Sequence, residues 1–143
     1  MESSTPPRDT AWAMSEENVE QVRARYEQSA RGDFTPIEKA PDDFEFVASH
    51  NVPDAGTYRG EAARRWMKAW VESFDGLTME ATEIIDVGDK VFAAFVQRGR
   101  PRGGQTEVES RWWSVDTFRE GVSARTEIFA DRAEALEAAG LPE

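Results

Sequence analysis

The stretch EVESRWWSVDTFREGVSARTEIFADRAEALEAAGL, Glu107–Leu141, decides the fold of this chain. Two long segments rich in β-branched and aromatic residues meet at Arg119-Glu120-Gly121, a sequence typical of a tight turn between antiparallel strands. A run of Ala, Glu and Leu follows and ends at Gly140, as a short helix does. The end of the chain is therefore predicted to be a β-hairpin and a helix.

Both predicted strands carry charges among aromatic residues. Alternation puts Arg125, Glu127 and Phe129 on one face of the second strand. In the first strand one face holds Glu109, Arg111, Trp113, Val115 and Thr117, and the other holds Ser110, Trp112, Ser114, Asp116 and Phe118. Because neither face is cleanly polar, we expect a curved sheet that lines a partly polar cavity. The alternative is a solvated face with cross-strand ion pairs.

Composition and charge restrict the class of protein. The 143 residues suit one domain, and with a net charge of −11 we expect neither nucleic acid nor membrane as a partner. There is no cysteine and only one histidine, His50, so thiolate and multi-histidine metal sites are excluded. We expect no metal and no cofactor. The N-terminus has no apolar signal segment, which predicts a cytoplasmic location.

The rest of the chain alternates between helical and strand periodicity. Residues 1–13 are polar and aperiodic, and we interpret them as a flexible arm before a single domain, residues 14–143. The predicted helices cover Glu16–Arg31, Phe34–Lys39, Glu61–Phe74 and Arg132–Ala139, and the further strands cover Phe44–His50, Met79–Val87 and Lys90–Arg98. Helices early in the chain, followed by antiparallel strands, predict the α+β class.

Four pieces of the chain resemble a known group of proteins. They are Ser15–Phe34 (SEENVEQVRARYEQSARGDF), Thr57–Trp70 (TYRGEAARRWMKAW), Ser114–Gly121 (SVDTFREG) and Asp131–Leu141 (DRAEALEAAGL). With the order of elements, they resemble the SnoaL-like group of the nuclear transport factor 2-like superfamily. The resemblance implies a cone-shaped α+β barrel, in which a curved antiparallel sheet wraps around N-terminal helices and encloses a pocket. It also implies a homodimer. It does not decide one reaction, because this fold carries many activities.

Two enzymes of this superfamily provide tests at single positions. Ketosteroid isomerase, whose tuned carboxyl groups are a general example of carboxyl pKa control, uses an Asp base and an oxyanion pair of Tyr and protonated Asp. By resemblance, His50 and Asn51 lie near the position of the base, Tyr26 lies near the tyrosine, and Arg111 stands where the second acid would be. In limonene epoxide hydrolase an Arg and an Asp stand two residues apart, whereas here Arg111 is followed on its face by Trp113.

The predicted site combines a histidine, charged side chains and aromatic walls in a set that matches neither enzyme. His50 would transfer a proton, since imidazole titrates near neutral pH, and Arg111 would stabilise oxyanion charge. The candidate catalytic residues are His50, Arg111, Glu127 and Tyr26, and the candidate ligand-binding residues are Trp66, Trp70, Phe95, Trp113, Arg125, Phe129 and Asp54. The structural alternatives are a hydrogen-bonded histidine, core tryptophans, an Arg111–Glu127 ion pair and an ordinary turn at Asp54.

Three functions are consistent with this site. The first is a cofactor-free acid–base isomerase, cyclase or dehydratase that acts on a small, hydrophobic, oxygenated molecule. The second is a non-catalytic module that binds such a ligand. The third is a dimeric structural protein whose cavity is filled by its own side chains. We expect a homodimer in each case, because Trp112 and Phe118 would otherwise be exposed on one sheet face.

Overall fold

Three helices pack against one six-stranded sheet, which confirms the predicted α+β class. The computed structural model describes residues 7–142, with side chains from residue 14 onward. The helices are α1 (Pro7–Ala30), α2 (Glu61–Glu72) and α3 (Arg132–Ala139), with a short 3-10 helix at Thr35–Lys39; the strands are β1 (Glu45–Ala48), β2 (Gly56–Arg59), β3 (Phe74–Val87), β4 (Lys90–Pro101), β5 (Val108–Arg119) and β6 (Val122–Phe129). None of these helices is long and apolar enough to cross a membrane.

The strands form a curved, unclosed sheet in the order β2-β1-β6-β5-β4-β3. From β3 to β6 each strand pairs antiparallel with its neighbour in sequence, so the four strands form a meander, and the antiparallel pairing is as predicted. The pairing of β1 with β6 is parallel, so the sheet is mixed and not purely antiparallel. This follows from the chain path, since a long crossover through α2 and four strands can join two parallel strands.

Several element boundaries differ from the sequence predictions. Helix α1 begins at Pro7 and not at Glu16, because proline suits the first turn of a helix; residues 1–6 of the predicted arm lie outside the described residues. Strand β2 lies between the predicted strand Phe44–His50 and the predicted helix Glu61–Phe74, where no strand was predicted, and its backbone pairs with β1. Strand β3 begins at Phe74, where the sequence predicted the end of α2, and it passes Gly76 with a register shift.

The ends of α3 are as predicted. The Asp131 side chain accepts a hydrogen bond from the backbone N–H of Glu134 at 3.0 Å, so it caps the N-terminus of the helix. Gly140 takes the left-handed conformation that ends the helix, with φ of 81°.

The helices cover the two faces of the sheet unequally. Helices α1 and α2 pack on the concave face, and α3 packs on the convex face. The α1 cluster contains Val22, Tyr26, Val91, Ala93, Phe95 and Phe118; the α2 cluster contains Phe44, Phe46, Ala48, Val52 and Ala63; and the α3 cluster contains Phe92, Val115, Phe129, Ala135, Leu136 and Ala139. Space is left between α1, α2 and the concave face, and the candidate site lies there.

Gly60 connects β2 to α2 at a place where a side chain does not fit. Its φ is 57° and its ψ is −120°, and its N–H donates to the Phe44 carbonyl at 2.8 Å. A Cβ atom at this position would lie 2.4 Å from the carbonyl oxygen of Asp42. The start of α2 therefore requires glycine for both its backbone conformation and its close approach to another chain segment.

We expect Gly60→Ala to lower the free energy of unfolding by about 3 kcal/mol, because backbone strain and a clash act together. Gly88→Ala is the matched control. Gly88 also has positive φ, 78°, but a Cβ atom there would meet no other atom within 4 Å, so we expect a loss of about 1 kcal/mol from strain alone. Urea denaturation at pH 7 measures both losses. Equal losses would contradict the clash.

Candidate functional site

A cavity of about 560 Å³ lies between the concave face of the sheet, α1, α2 and the 3-10 helix. Its walls are mostly apolar and aromatic. The sheet contributes Phe46, Met79, Phe95, Gln97, Trp112, Phe118, Val122, Ser123, Thr126 and Ile128, and the helices contribute Arg25, Tyr26, Ser29, Trp66, Met67 and Trp70. This volume falls within the roughly 300–1,000 Å³ typical of small-molecule sites.

Tryptophans form one wall of the cavity. Trp66 and Trp70 lie one helical turn apart on α2, and their rings stack with centroids 5.6 Å apart and planes at 6°. Trp112 of β5 meets the Trp70 ring edge-on, also at 5.6 Å. On another side of the cavity the Tyr26 and Phe95 rings lie 5.1 Å apart. These flat surfaces suit a flat, apolar molecule.

A buried carboxylate, Asp116, lies behind the cavity wall on β5. It is fully buried, and several side chains donate hydrogen bonds to it. Both terminal nitrogens of Arg25 donate to it, at 2.8 and 2.9 Å, and the hydroxyls of Ser123 and Thr126 donate at 2.9 and 3.0 Å. The two charged donors and the two hydroxyl donors together compensate the buried negative charge of Asp116.

Arg25 brings positive charge to the cavity. Its side chain is 32% exposed and lines the cavity, while its paired carboxylate is fully buried. Burial by itself lowers the pKa of Arg25, but the charge and hydrogen bonds of Asp116 outweigh this effect and raise the pKa above its ordinary value. The guanidinium therefore stays charged, with N–H groups beyond those that bind Asp116.

The hydroxyl of Tyr26 lies within hydrogen-bond distance of the Ser114 hydroxyl, at 2.8 Å. Burial raises the pKa of Tyr26 to about 12, although the charge of Arg25 and the hydrogen bond with Ser114 oppose the rise. Tyr26 is thus a neutral hydroxyl at physiological pH. Asp33, at the rim, behaves differently, because hydrogen bonds from the backbone N–H and hydroxyl of Thr35 lower its pKa.

Four predicted site residues line the cavity, and the chief catalytic candidate does not. The cavity residues are Tyr26, Trp66, Trp70 and Phe95. His50 lies beyond the end of β1, where its ring is 72% exposed and its Nε2 lies 2.8 Å from Glu134 of α3. The turn after β1 carries it away from the concave face to which Phe46 belongs. The predicted location of His50 in the pocket is therefore wrong.

The other predicted polar residues lie on the convex face. Arg111 is exposed there, and Arg125 pairs with Glu45 at 2.8 Å and with Glu127 at 3.6 Å. Trp113 and Phe129 pack against the α3 cluster. Arg111, Trp113, Arg125, Glu127 and Phe129 share one face because β5 and β6 pair Trp113 with Phe129 and Thr117 with Arg125. Their predicted place in the cavity is wrong. The alternative of cross-strand ion pairs is correct for Arg125, which pairs with Glu45 of β1, whereas Glu127 pairs with Arg125 within β6.

Asp54 belongs to the turn after β1 and does not line the cavity. Its backbone φ is 53°, and its carbonyl oxygen accepts hydrogen bonds from the Tyr58 hydroxyl at 2.7 Å and from the Trp66 indole N–H at 3.1 Å. The turn thus orients Trp66 through a backbone atom. The structural alternative of an ordinary turn is correct for the Asp54 side chain.

The sequence predictions missed Arg25, Asp116, Gln97 and Trp112. For Asp116 and Trp112 a signal was present, because alternation puts them on one face with Ser114 and Phe118. That face was not chosen for the cavity. Arg25 could have been suspected only as the neighbour of Tyr26, since nothing in the sequence links it to a residue 91 positions away.

Among the described residues, no group of three or more His, Cys, Asp or Glu side chains is arranged to hold a metal ion.

Glu127 is a partly buried carboxylate on the convex face of the sheet. Burial raises its pKa, while the charges of Arg125 and Lys90 act in the opposite direction. A carboxyl group whose pKa is higher in the folded chain than in the unfolded chain stabilises the fold while it is protonated, below its ordinary pKa. This stabilisation is lost as the pH rises through the raised pKa. At pH 7 its ionisation therefore opposes folding.

We expect Asp116→Asn to lower the free energy of unfolding by about 3 kcal/mol at pH 7, because it leaves Arg25 without a counter-charge. Glu127→Gln, on the opposite face of the same sheet, is the matched control. It removes a carboxylate whose ionisation opposes folding, so stability should stay the same or rise. Chemical denaturation of both variants gives the comparison. A loss in Glu127→Gln as large as in Asp116→Asn would contradict this account.

Comparison with known proteins agrees with the architecture. No family model and no curated protein sequence matches the chain. An NTF2-like protein from Burkholderia thailandensis E264 is 26% identical, with a TM-score of 0.65 over 88% of this chain and 97% of that one. TerC, crystallised with polyporic acid, is 21% identical, with a TM-score of 0.65 over 87% of this chain and 98% of TerC.

A third structure, described as a SnoaL-like polyketide cyclase from Jannaschia sp. CCS1, is 16% identical with a TM-score of 0.64 over the whole of both chains. The last two identities are low, so these likenesses concern the fold and not the reaction. The arrangement of α1 and α2 over a curved sheet is shared with these structures. The chain has the NTF2-like fold, so its predicted resemblance to the SnoaL-like group of the nuclear transport factor 2-like superfamily is confirmed at the level of the fold.

Proposed function

We propose that this protein binds a small, flat, mostly apolar molecule that carries oxygen atoms. The observation that carries the proposal is the open cavity of about 560 Å³ with the stacked Trp66 and Trp70 rings in its wall. A cavity of this kind suits a ligand of a few fused or linked rings. The open volume also argues against the structural alternative, in which the protein's own side chains fill the space.

The polar groups of the cavity support an oxygenated ligand. Arg25 supplies charged N–H donors, Tyr26 supplies a neutral hydroxyl, and Gln97 supplies an amide. A few such groups in an apolar cavity fix the orientation of a ligand, because a buried donor gains most from an acceptor placed directly in front of it. TerC, which shares the fold, was crystallised with polyporic acid, and this gives a precedent for ligand binding in a related architecture.

The non-catalytic binding module is the form of the proposal that the geometry supports best. The acid–base isomerase, cyclase or dehydratase hypothesis relied on His50, which lies outside the cavity. Of the groups that line the cavity, Tyr26 has a pKa of about 12 and Asp33 has a lowered pKa. Neither suits proton transfer near pH 7, where an effective catalytic group has a pKa close to the pH.

Four other expectations stay predictions. They are the homodimer, the cytoplasmic location, the absence of nucleic-acid partners, and a domain of residues 14–143 that folds without residues 1–13. Exposed aromatic residues no longer favour the homodimer, because Trp112 and Phe118 line the cavity and need no second copy to cover them. The net charge of −11 still disfavours nucleic acid.

We expect Trp112→Leu to weaken binding of an aromatic probe such as 9-fluorenone about tenfold or more, because the substitution removes a ring from the cavity wall. Trp113→Leu is the matched control. Trp113 is the next residue in the same strand, is also partly buried, and packs on the convex face with the α3 cluster. We expect its substitution to leave the dissociation constant unchanged. Equilibrium dialysis measures both values.

Thermal denaturation of the two variants separates binding from folding, since both substitutions remove buried aromatic area. A folded wild-type protein that binds no 9-fluorenone and no other small aromatic ketone would overturn the proposed function. Equal weakening by the two substitutions would show that the probe binds somewhere other than this cavity.

A further inference from the structure

Gln97 is a buried amide in the cavity wall. It lies on β4, only 3% of its surface is exposed, and it contributes to the lining of the cavity. Its Oε1 accepts a hydrogen bond from the indole N–H of Trp70 at 2.7 Å. A glutamine in such a position has two N–H donors as well as its oxygen, so the location of those donors decides what the residue can recognise.

Trp70 determines which way the amide of Gln97 faces. An indole N–H can donate a hydrogen bond but cannot accept one, so the oxygen of the amide must point to Trp70 and the nitrogen must point away. Among the described residues, the amide nitrogen of Gln97 has no hydrogen-bond partner. This nitrogen is not fully enclosed by protein atoms. Because Gln97 lines the cavity, the nitrogen borders the open space there.

Arg25, the charged donor of the cavity, lies well away from Gln97. Asp116, which holds Arg25, stands opposite Val91 in the sheet, whereas Gln97 stands opposite Ser110. Gln97 lies six positions after Val91 in β4, and at 3.3–3.4 Å per residue this is roughly 20 Å along the strand. The Gln97 amide can therefore recognise a ligand atom that Arg25 does not.

We propose that Gln97 makes the cavity selective for molecules that place a carbonyl-type oxygen against its amide nitrogen. This inference rests on the proposed function, since it names the class of ligand that the same cavity takes. An acceptor oxygen would complete the hydrogen bonding of a buried donor, whereas a molecule of the same shape without it would leave that donor unpaired and dehydrated. Trp70 acts as a positioning residue, because its indole holds the amide in the donating orientation.

The test compares 9-fluorenone with fluorene, which have the same three-ring shape and differ by a carbonyl in place of a methylene. Equilibrium dialysis of the full chain gives both dissociation constants. We expect wild-type protein to bind 9-fluorenone about tenfold more tightly than fluorene, as expected for the loss of one hydrogen bond to a buried donor. In Gln97→Met, which keeps the length of the side chain without a donor, this ratio should fall to about one.

Two further variants test the orientation of the amide. Gln97→Glu still accepts from the Trp70 indole but presents an acceptor to the ligand, so fluorene should bind more tightly than 9-fluorenone. Trp70→Phe keeps a ring and removes the indole donor, so the amide is free to turn and the preference for 9-fluorenone should shrink severalfold. Trp113→Phe, on the convex face, should keep the wild-type ratio.

The outcomes are distinguishable. If neither molecule nor any other small aromatic compound binds, the proposed function fails and the role of Gln97 fails with it. If both molecules bind with equal affinity, or if Gln97→Met keeps the tenfold ratio, the cavity binds aromatic ligands but Gln97 does not select them. Should Gln97→Glu not fold, Gln97→Met and Trp70→Phe still decide the question, because neither buries a charge.

Discussion

The position of α1 on the sheet depends on the ion pair between Arg25 and Asp116. A carboxylate as deeply buried as Asp116 is costly unless it is paired and hydrogen-bonded, and Arg25 is the only cation that the described hydrogen bonds bring to it. Two nearly parallel N–H···O bonds fix direction as well as distance. Helix α1 packs on β3 and β4 of the concave face, and the Arg25 side chain ties it to β5; an arrangement without this contact would leave a charge unpaired.

The cavity follows from this arrangement. With α1 packed on β3 and β4, tied to β5 through Arg25, and with α2 begun at Gly60, the two helices cover different parts of the concave face and leave a space between them. The residues that pack in the core, such as Tyr26, Phe95 and Trp112, are the same residues that form the cavity wall. The wall is therefore built from packed core side chains, and in such a wall few polar groups define which ligand fits.

The sequence predicted the architecture well because architecture depends on periodicity. The meander, the capped α3 and the amphipathic α2 each have a strong local pattern, whether alternation, a capping residue or a helical stripe of aromatics. The mixed pairing of β1 with β6 had no such pattern, because it joins segments 80 residues apart. Strand β2 is short and lies in turn-like sequence, so its pairing comes from the neighbouring β1 and not from its own residues.

The site was harder to predict, because β5 is aromatic on both faces. Trp112 and Trp113 are adjacent, so alternation alone cannot tell which of them faces the cavity, and choosing the wrong one moves every neighbour to the opposite face. Charge was misleading as well. The charges of Arg125 and Glu127 belong to a ladder on the convex face, while the carboxylate that matters, Asp116, is paired with a helix residue distant in sequence.

A double-mutant cycle on Arg25 and Asp116 tests the central claim most directly. The free energy of unfolding is measured for wild type, Arg25→Met, Asp116→Asn and the double variant. We predict that each single substitution costs about 3 kcal/mol and that the double variant loses little more than either one, which gives a coupling energy of about 2–3 kcal/mol. Losses that simply add would contradict the claim that this pair positions α1 on the sheet.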